Sequence, residues 1–503
     1  MYYISTRGGL NRIKSAEAIK CGLAPDGGLF VPETDIKLAP EEIYSLAAMN
    51  YSERAVFILG RYLDDYSREE LTECVNGAYG NGKFDGDNVA PVKKLNGNAY
   101  ILELWHGPTC AFKDVALQIL PRLLVEALQK TGENAETVIL VATSGDTGKA
   151  ALEGFKDVKG TWIVVFYPED GVSQVQKMQM VTQEGGNVCT IAVKGNFDDA
   201  QNGVKAILSD TALREGMLSE GFKFSSANSI NWGRLVPQIV YYFSAYADLM
   251  AAGEIAAGEK VNFAVPTGNF GNILAAWYAR EMGLPIHKLI CASNGNNVLT
   301  DFINTGVYNR DREFKKTISP SMDILISSNL ERLLYELTGH DGLQVAEWMN
   351  QLKRDGRYTV NDGVKRRISE LYWASCTTEA ETLKTIKDVY EDYGYIVDPH
   401  TAVGIDVYDK YVISTGDITR TVIVSTASPF KFNESVARAI FGEGVTAGKT
   451  EFELLDMLAY KCGLEIPASL DGLEHKEILH KKVCAREEMK EEVKRVLGLD
   501  NKV

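Results

Sequence analysis

No apolar run in this chain is long enough to cross a bilayer; the longest, such as the one around Thr137–Ala142, have the length of a β-strand. The opening residues, Met1-Tyr-Tyr-Ile-Ser-Thr-Arg-Gly, lack the basic-then-apolar layout of a secretory leader. Metal chemistry is poorly served, because only 6 histidines are present, no two of them at i, i+4, and HExxH is missing. The 8 cysteines stand singly at 21, 74, 110, 189, 291, 376, 462 and 484, with neither CxxC nor zinc-ligand spacing. Reduced thiols in a cytoplasmic protein are the simplest expectation. Neither the Walker A pattern GxxxxGK[ST] nor the dinucleotide pattern GxGxxG occurs. Positive charge is also short, with 53 Lys and Arg against 68 Asp and Glu, a net −15. That balance excludes a general nucleic-acid surface, which needs a positive field to displace counterions. It leaves room for a small anion, since a few fixed donors make a local positive pocket.

What is present reads as an α/β protein. A chain of 503 residues predicts two or three domains, and 45% apolar with 24% charged residues is ordinary globular composition. Residues 1–90 form a helical addition, with periodic apolar positions through Glu41–Leu63 and a turn-rich stretch after Tyr79. Residues 91–450 are expected to form an α/β region of open parallel sheets. There Ala99–Glu103, Thr137–Ala142, Thr161–Tyr167, Val188–Val193, Val261–Val265, Leu289–Ser293 and Thr421–Val424 are Val/Ile-rich and alternate with helices. Residues 451–503 make a charged helical tail, expected as a solvated peripheral helix pair.

Ligands of an open α/β sheet bind beyond the carboxyl ends of its strands. Four of the strands run into small polar residues: Thr143-Ser-Gly-Asp-Thr-Gly, Pro266-Thr-Gly-Asn-Phe-Gly-Asn, Asn294-Gly-Asn-Asn and Ser425-Thr-Ala-Ser. Gly268-Asn-Phe-Gly-Asn-Ile lies between a strand and a helix starting near Ile273, which suits a phosphate cradle of backbone amides; a plain strand-to-helix turn is the competing reading. Lys113 follows Phe112 just ahead of the apolar helical run Val115–Leu128. Packed inward it is a desolvated amine nucleophile; the alternative is a snorkelling surface lysine. Buried lysine and phosphate cradle together are the minimum kit for pyridoxal 5'-phosphate.

The segment His106-Gly-Pro-Thr-Cys-Ala-Phe-Lys-Asp resembles the cofactor-lysine motif of threonine synthases, fold-type-II enzymes related to tryptophan synthase β. Tyr3-Ile-Ser-Thr-Arg-Gly and Gly22-Leu-Ala-Pro-Asp-Gly-Gly-Leu-Phe-Val-Pro-Glu are similar to that family's N-terminal signature. Ala142-Thr-Ser-Gly-Asp-Thr-Gly, Asn228-Ser-Ile-Asn-Trp-Gly-Arg, Val265-Pro-Thr-Gly-Asn-Phe-Gly-Asn and Asp398-Pro-His-Thr-Ala-Val-Gly match in the same order. The resemblance implies that residues 91–450 are a catalytic region of two open parallel-sheet subdomains with the cofactor in their cleft, and that Lys113 carries the cofactor and shuttles protons. It implies that Gly268, Asn269, Phe270, Gly271 and Asn272 hold the cofactor phosphate, and that Thr426 meets the pyridine nitrogen. Ser144, Asp146 and Thr147 would face the substrate's amino-acid end, with Ser229 and Arg234 on its phosphate. For Asn228 and Ser229 helix capping is the other role, since Trp232–Tyr242 reads as helical. Ser428 and Phe430 depart from the family, which usually has His and a small residue there.

The implied reaction converts O-phospho-L-homoserine and water to L-threonine and phosphate, the last step of threonine biosynthesis. A PLP lyase acting on serine or threonine is the runner-up, and a cofactor-less binding protein the reading from another class. The expected partner is this small substrate, with no nucleic acid and no membrane, in a monomer or homodimer.

Overall fold

The computed structural model describes residues 1–499 apart from Leu10, Asn81, Asp87, Ser144 and Gly171. Two open sheets form its frame. The larger has 6 strands in the order Tyr372–Cys376, Ile286–Ser293, Val261–Pro266, Thr421–Ser425, Ala99–Glu103, Val92–Lys94. Neighbours in it are parallel except the last pair, where Val92–Lys94 runs antiparallel along the edge. The smaller has 5 parallel strands, Val483–Cys484, Val188–Val193, Thr161–Pro168, Glu136–Ala142 and Phe222–Ser225. Strands such as Val261–Pro266 and Thr421–Ser425 are buried along their whole length, as sheets covered by helices on both faces require.

Most boundaries read from the sequence agree with these elements within a few residues, and three readings need correction. The apolar run Val115–Leu128 is two helices, Lys113–Leu117 and Leu120–Lys130. Pro121 has no N–H to give to an earlier turn, and it stands in the first turn of the second helix, where none is needed, so the break falls just before it. The long helix Trp232–Ala251 is capped by neither Asn228 nor Ser229 but by Asn231, whose side chain accepts the Gly233 N–H at 2.9 Å. The tail is more than a solvated helix pair. Val483–Cys484 adds an edge strand to the smaller sheet, and the helix Met489–Val496 lays Met489 and Val493, both fully buried, on that sheet's core. Two of its charged residues, Glu492 and Lys494, are themselves buried, and a count of charges along the chain does not separate buried from exposed positions.

The N-terminal helices Tyr51–Tyr62 and Arg68–Tyr79 begin with reciprocal capping boxes, Asn50 with Glu53 and Ser67 with Glu70. Tyr62 and Tyr3 both bring their rings onto Trp232, with centroids 5.5 and 5.4 Å away. The N-terminal segment is thereby packed against the helix that carries Arg234. For the tail, Met489→Ala should cost about 2–4 kcal/mol through the cavity left against the sheet. The expected readout is a lower thermal midpoint; an unchanged midpoint would make the tail a solvated appendage after all.

Candidate active site

Lys113 opens its short helix from a backbone pinned on the large sheet. Ala111 bridges Ala427 antiparallel, the Phe112 N–H donates to the Thr426 carbonyl at 2.8 Å, and Ser428 N–H donates to the Cys110 carbonyl at 3.0 Å. Cys110 takes a left-handed turn with φ of 60° to enter this pairing. The lysine amine then meets Asp146 Oδ2 at 3.3 Å and donates to Ser321 Oγ at 3.1 Å. Asp146 starts the helix Asp146–Phe155 that follows the strand Glu136–Ala142, so it arrives from the smaller sheet. The site lies between the two sheets, at strand carboxyl ends.

Asp146 is buried and meets four donors. Besides Lys113, Lys431 Nζ lies 3.1 Å from Oδ1, Gln176 Nε2 donates to Oδ1 at 2.8 Å, and Ser321 Oγ donates to Oδ2 at 3.0 Å. Burial alone would raise the affinity of this carboxyl for a proton, but the Lys431 and Lys113 ammoniums hold it well below the usual carboxylate range. For Lys113 burial is the largest influence and lowers its proton affinity. Asp146 works against that fall, and Lys431 and Arg234 add to it. A desolvated, deprotonable amine is what a lysine nucleophile and base needs. The turn Gly145, with φ of 151°, has no room for a side chain, since a Cβ there would sit 2.6 Å from the Gln176 amide.

The glycine loop faces this lysine through Ser321. Phe270 has left-handed φ of 64° and leads into the helix Gly271–Glu281, whose first-turn amides have no intrahelical acceptor. Asn272 accepts hydrogen bonds from Tyr241 and Tyr242, and its Nδ2 is buried without a partner. A Cβ on Gly268 would stand 2.7 Å from the Ser321 carbonyl, whereas one on Gly271 would meet Asn329 Nδ2 at 3.4 Å and Gln238 Nε2 at 3.9 Å, both ordinary contacts. The loop carbonyls are tied outward: Ser327 Oγ donates to Gly268 O at 2.8 Å, and Asn329 N and Nδ2 donate to Asn269 O at 3.0 and 3.1 Å. Amides turned inward and carbonyls turned outward make a cradle that fits a phosphate. The orphaned Asn272 amide adds a donor of the right kind. These residues fit pyridoxal 5'-phosphate.

Arg234 is 4% exposed and donates to the Ala227 carbonyl at 3.0 Å, while its Nε is buried without a partner. Burial pushes its guanidinium down to about 10. Among the described residues no carboxylate pairs with it, and the buried Ser226 hydroxyl in the same loop is also unpartnered. Ser229 is half-buried in that loop, Thr147 is half-buried one residue after Asp146, and Thr426 is buried beside Phe112. Ser144 lies outside the described residues.

Sequence reasoning missed Ser321, Gln176, Lys431, His400 and Asn329 as parts of this site. His400 is 2% exposed; its Nδ1 pairs with Asp398 at 2.6 Å and its Nε2 accepts the Ser321 N–H at 3.2 Å. The motif containing His400 and the Pro-Phe-Lys-Phe containing Lys431 were visible as strings, without a sign that either faces Lys113. Arg332, fully buried, joins the Phe30 and Ile230 carbonyls to Asn329 Oδ1 at 2.9, 2.6 and 2.5 Å. Its neighbour Glu331 takes both Thr6 and Arg7, so the N-terminal signature braces the loop next to the cradle.

A buried lysine and a glycine cradle set between two open sheets define a pyridoxal-phosphate-dependent enzyme, and residues 88–358 match the model of the pyridoxal-phosphate dependent enzyme family. Residues 2–79 match the threonine synthase N terminus and residues 401–496 its C-terminal model. The threonine synthase of Pseudomonas aeruginosa is 42% identical over 88% of this chain and 91% of its own length. Human threonine synthase-like 1 is 43% identical over 84% of this chain, which spans 58% of that longer protein. A crystal structure of PLP-bound threonine synthase from Brucella melitensis superposes with a TM-score of 0.88 at 36% identity, covering 99% of each chain. The chain belongs to the threonine synthase family.

The two glycines of the cradle make distinct predictions. Gly268→Ala should displace the Ser321 turn and weaken cofactor retention by at least about tenfold, the effect of a 1.4 kcal/mol loss. Gly271→Ala should leave thermal stability unchanged, because its Cβ meets only ordinary contacts, and weaken cofactor retention only if the phosphate approaches that backbone. Equilibrium dialysis with visible absorbance separates the two.

Proposed function

We propose that this chain is a threonine synthase, converting O-phospho-L-homoserine and water to L-threonine and phosphate. The observation that carries the substrate is Arg234: a buried guanidinium without a carboxylate partner among the described residues, close enough to act on Lys113. A buried charge stays unpaired at high cost unless a ligand completes it. A planar guanidinium suits a bidentate phosphate contact, and the unpartnered Ser226 hydroxyl and half-buried Ser229 lie in the loop before it. A lyase acting on a free hydroxyl needs no such second anion site.

In this reading the cradle Gly268, Asn269, Phe270, Gly271 and Asn272 would hold the cofactor phosphate, and Lys113 would bind its aldehyde carbon. When bound, pyridoxal phosphate supplies an electron sink for the negative charge left as a proton leaves the substrate's Cα. Lys113, once released, is the base for that proton. On its flexible stem the same amine serves the neighbouring carbons, which a fixed histidine would not reach. Arg234 steadies the phosphate as it departs, where the charge develops. Thr426, buried beside Phe112, would offer a hydroxyl to the ring nitrogen, and Thr147 and Asp146 would border the substrate's amino-acid end. Eight free cysteines suit a reducing, cytoplasmic setting. The same reading divides the chain into units at 1–90, 91–450 and 451–503.

Two variants test it. Lys113→Ala should abolish turnover while the cradle still takes up cofactor non-covalently; full activity without added amine would end this reading. Arg234→Leu should remove a charge-assisted contact worth roughly 2–5 kcal/mol, about 30-fold to several thousand-fold in kcat/KM for O-phosphohomoserine. Visible cofactor absorbance should persist in that variant, and Lys at 234 should rescue poorly. A kcat/KM within threefold of the unsubstituted enzyme would make Arg234 structural and favour a lyase.

A further inference from the structure

The site holds more fixed cation than the proposed reaction has used. Lys431 lies in the turn Pro429–Phe432 with 0% of its side chain exposed, 3.1 Å from Asp146 Oδ1, and donates to the Thr109 carbonyl at 2.8 Å. Asp146 therefore sits between two ammoniums, Lys113 on Oδ2 and Lys431 on Oδ1. Their circumstances differ. Lys113 must bind cofactor carbon, leave it and lose a proton, whereas Lys431 is walled in by protein and has no route to a reacting atom.

This asymmetry matters because a lone buried carboxylate beside a lone buried lysine would hold that lysine's proton tightly. We propose that Lys431 is a positioning residue, the permanent counter-cation of Asp146, which leaves Lys113 free to give up its own proton during turnover. The proposal rests on the assignment of Lys113 as cofactor lysine and base. With Lys431 in place, Asp146 keeps a partner whether Lys113 is charged, neutral or bonded to carbon. It also stays anionic to hold Ser321 and Gln176, which donate to it at 3.0 and 2.8 Å. Among the described residues, the other titratable groups facing this pair are Arg234 from the helix Trp232–Ala251 and, beyond Asp146, His400 from Pro399–Thr415. Asp114, next to Lys113 and pushed up to about 6 by burial, is closed off by the Thr109 amide and hydroxyl at 2.8 and 2.6 Å. The lowered proton affinity of Lys113 agrees in sign, since Lys431 is among the groups that depress it.

The test compares Lys431→Met and Lys431→Arg in the full chain by two measurements. The first is the pH midpoint at which Lys113 is modified by an amine-selective acylating reagent before cofactor is added, read by mass spectrometry. The second is the pH profile of kcat with cofactor and O-phosphohomoserine. In Lys431→Met both the midpoint and the acid limb should move up by about one pH unit, so that kcat near neutrality falls about tenfold and recovers at higher pH. Lys431→Arg retains the cation and should stay near the parent in both. Equal loss at every pH with an unmoved Lys113 midpoint would show a merely structural lysine and overturn the proposal. So would a shift of the same size in Lys431→Arg. If Lys431→Met does not fold, Lys431→Gln, which keeps a donor for Thr109 O but no charge, takes its place with the same expected shift. Failure of the underlying assignment looks different: the unsubstituted protein would then show no visible absorbance with cofactor and no protection of Lys113 by it.

Discussion

A carboxylate held out of water between two ammoniums is the interaction on which the rest of this site depends. Taking three charges into the interior is costly, and the cost is offset only if each charge meets its partner at contact distance. The partners come from places far apart in the chain: residues 113, 176, 321 and 431 all converge on Asp146. The contacts from Lys113, Ser321 and Lys431 form only when the two sheets stand face to face, since Asp146 and Gln176 both follow strands of the smaller sheet. Asp146 thus joins the sheets electrostatically while leaving Lys113 poised over the cleft.

The glycine cradle shows the same economy in backbone form. Its carbonyls are occupied by Ser327 and Asn329, so the amides at the start of Gly271–Glu281 are what the cleft sees. Asn329 is held in turn by Arg332, a fully buried cation stitched to Phe30 and Ile230. The N-terminal segment is for this reason part of the cofactor site's support, although none of its residues faces the cleft in the contacts described. Arg7 and Thr6 on Glu331 complete that support.

The inner strands of both sheets were legible because runs such as Val138–Ala142 and Val422–Val424 are apolar without interruption, a pattern that survives whatever packs on either face; the edge strands Val92–Lys94, Phe222–Ser225, Tyr372–Cys376 and Val483–Cys484, short or mixed in polarity, were not. Lys113 and the Gly268–Asn272 loop were legible because their motifs are local. Lys431, Ser321 and His400 were not, for their meaning lies in which residue they face across hundreds of positions, and a lysine amid Phe430 and Phe432 looks the same buried or exposed. The capping residue Asn231 was hidden by two equally suitable neighbours. The tail was misjudged because Met489 and Val493 are spaced one helical turn apart among charges that outnumber them.

The place of Thr421–Ser425 in the larger sheet has a consequence for how the protein is made. This strand pairs with Val261–Pro266 on one side and Ala99–Glu103 on the other, so the last long strand to leave the ribosome is an inner one. Until it arrives, two strand edges stay unpaired for the time needed to synthesise well over a hundred residues, with nothing to hide them but the helices already in place. Contacts of such long sequence separation form slowly, because loop closure precedes their reward. A nascent or prematurely ended chain therefore holds an open half-sheet and an unassembled lysine pocket. The proposed reaction cannot begin on such a partial product, and it is in that interval that such a chain most needs a chaperone.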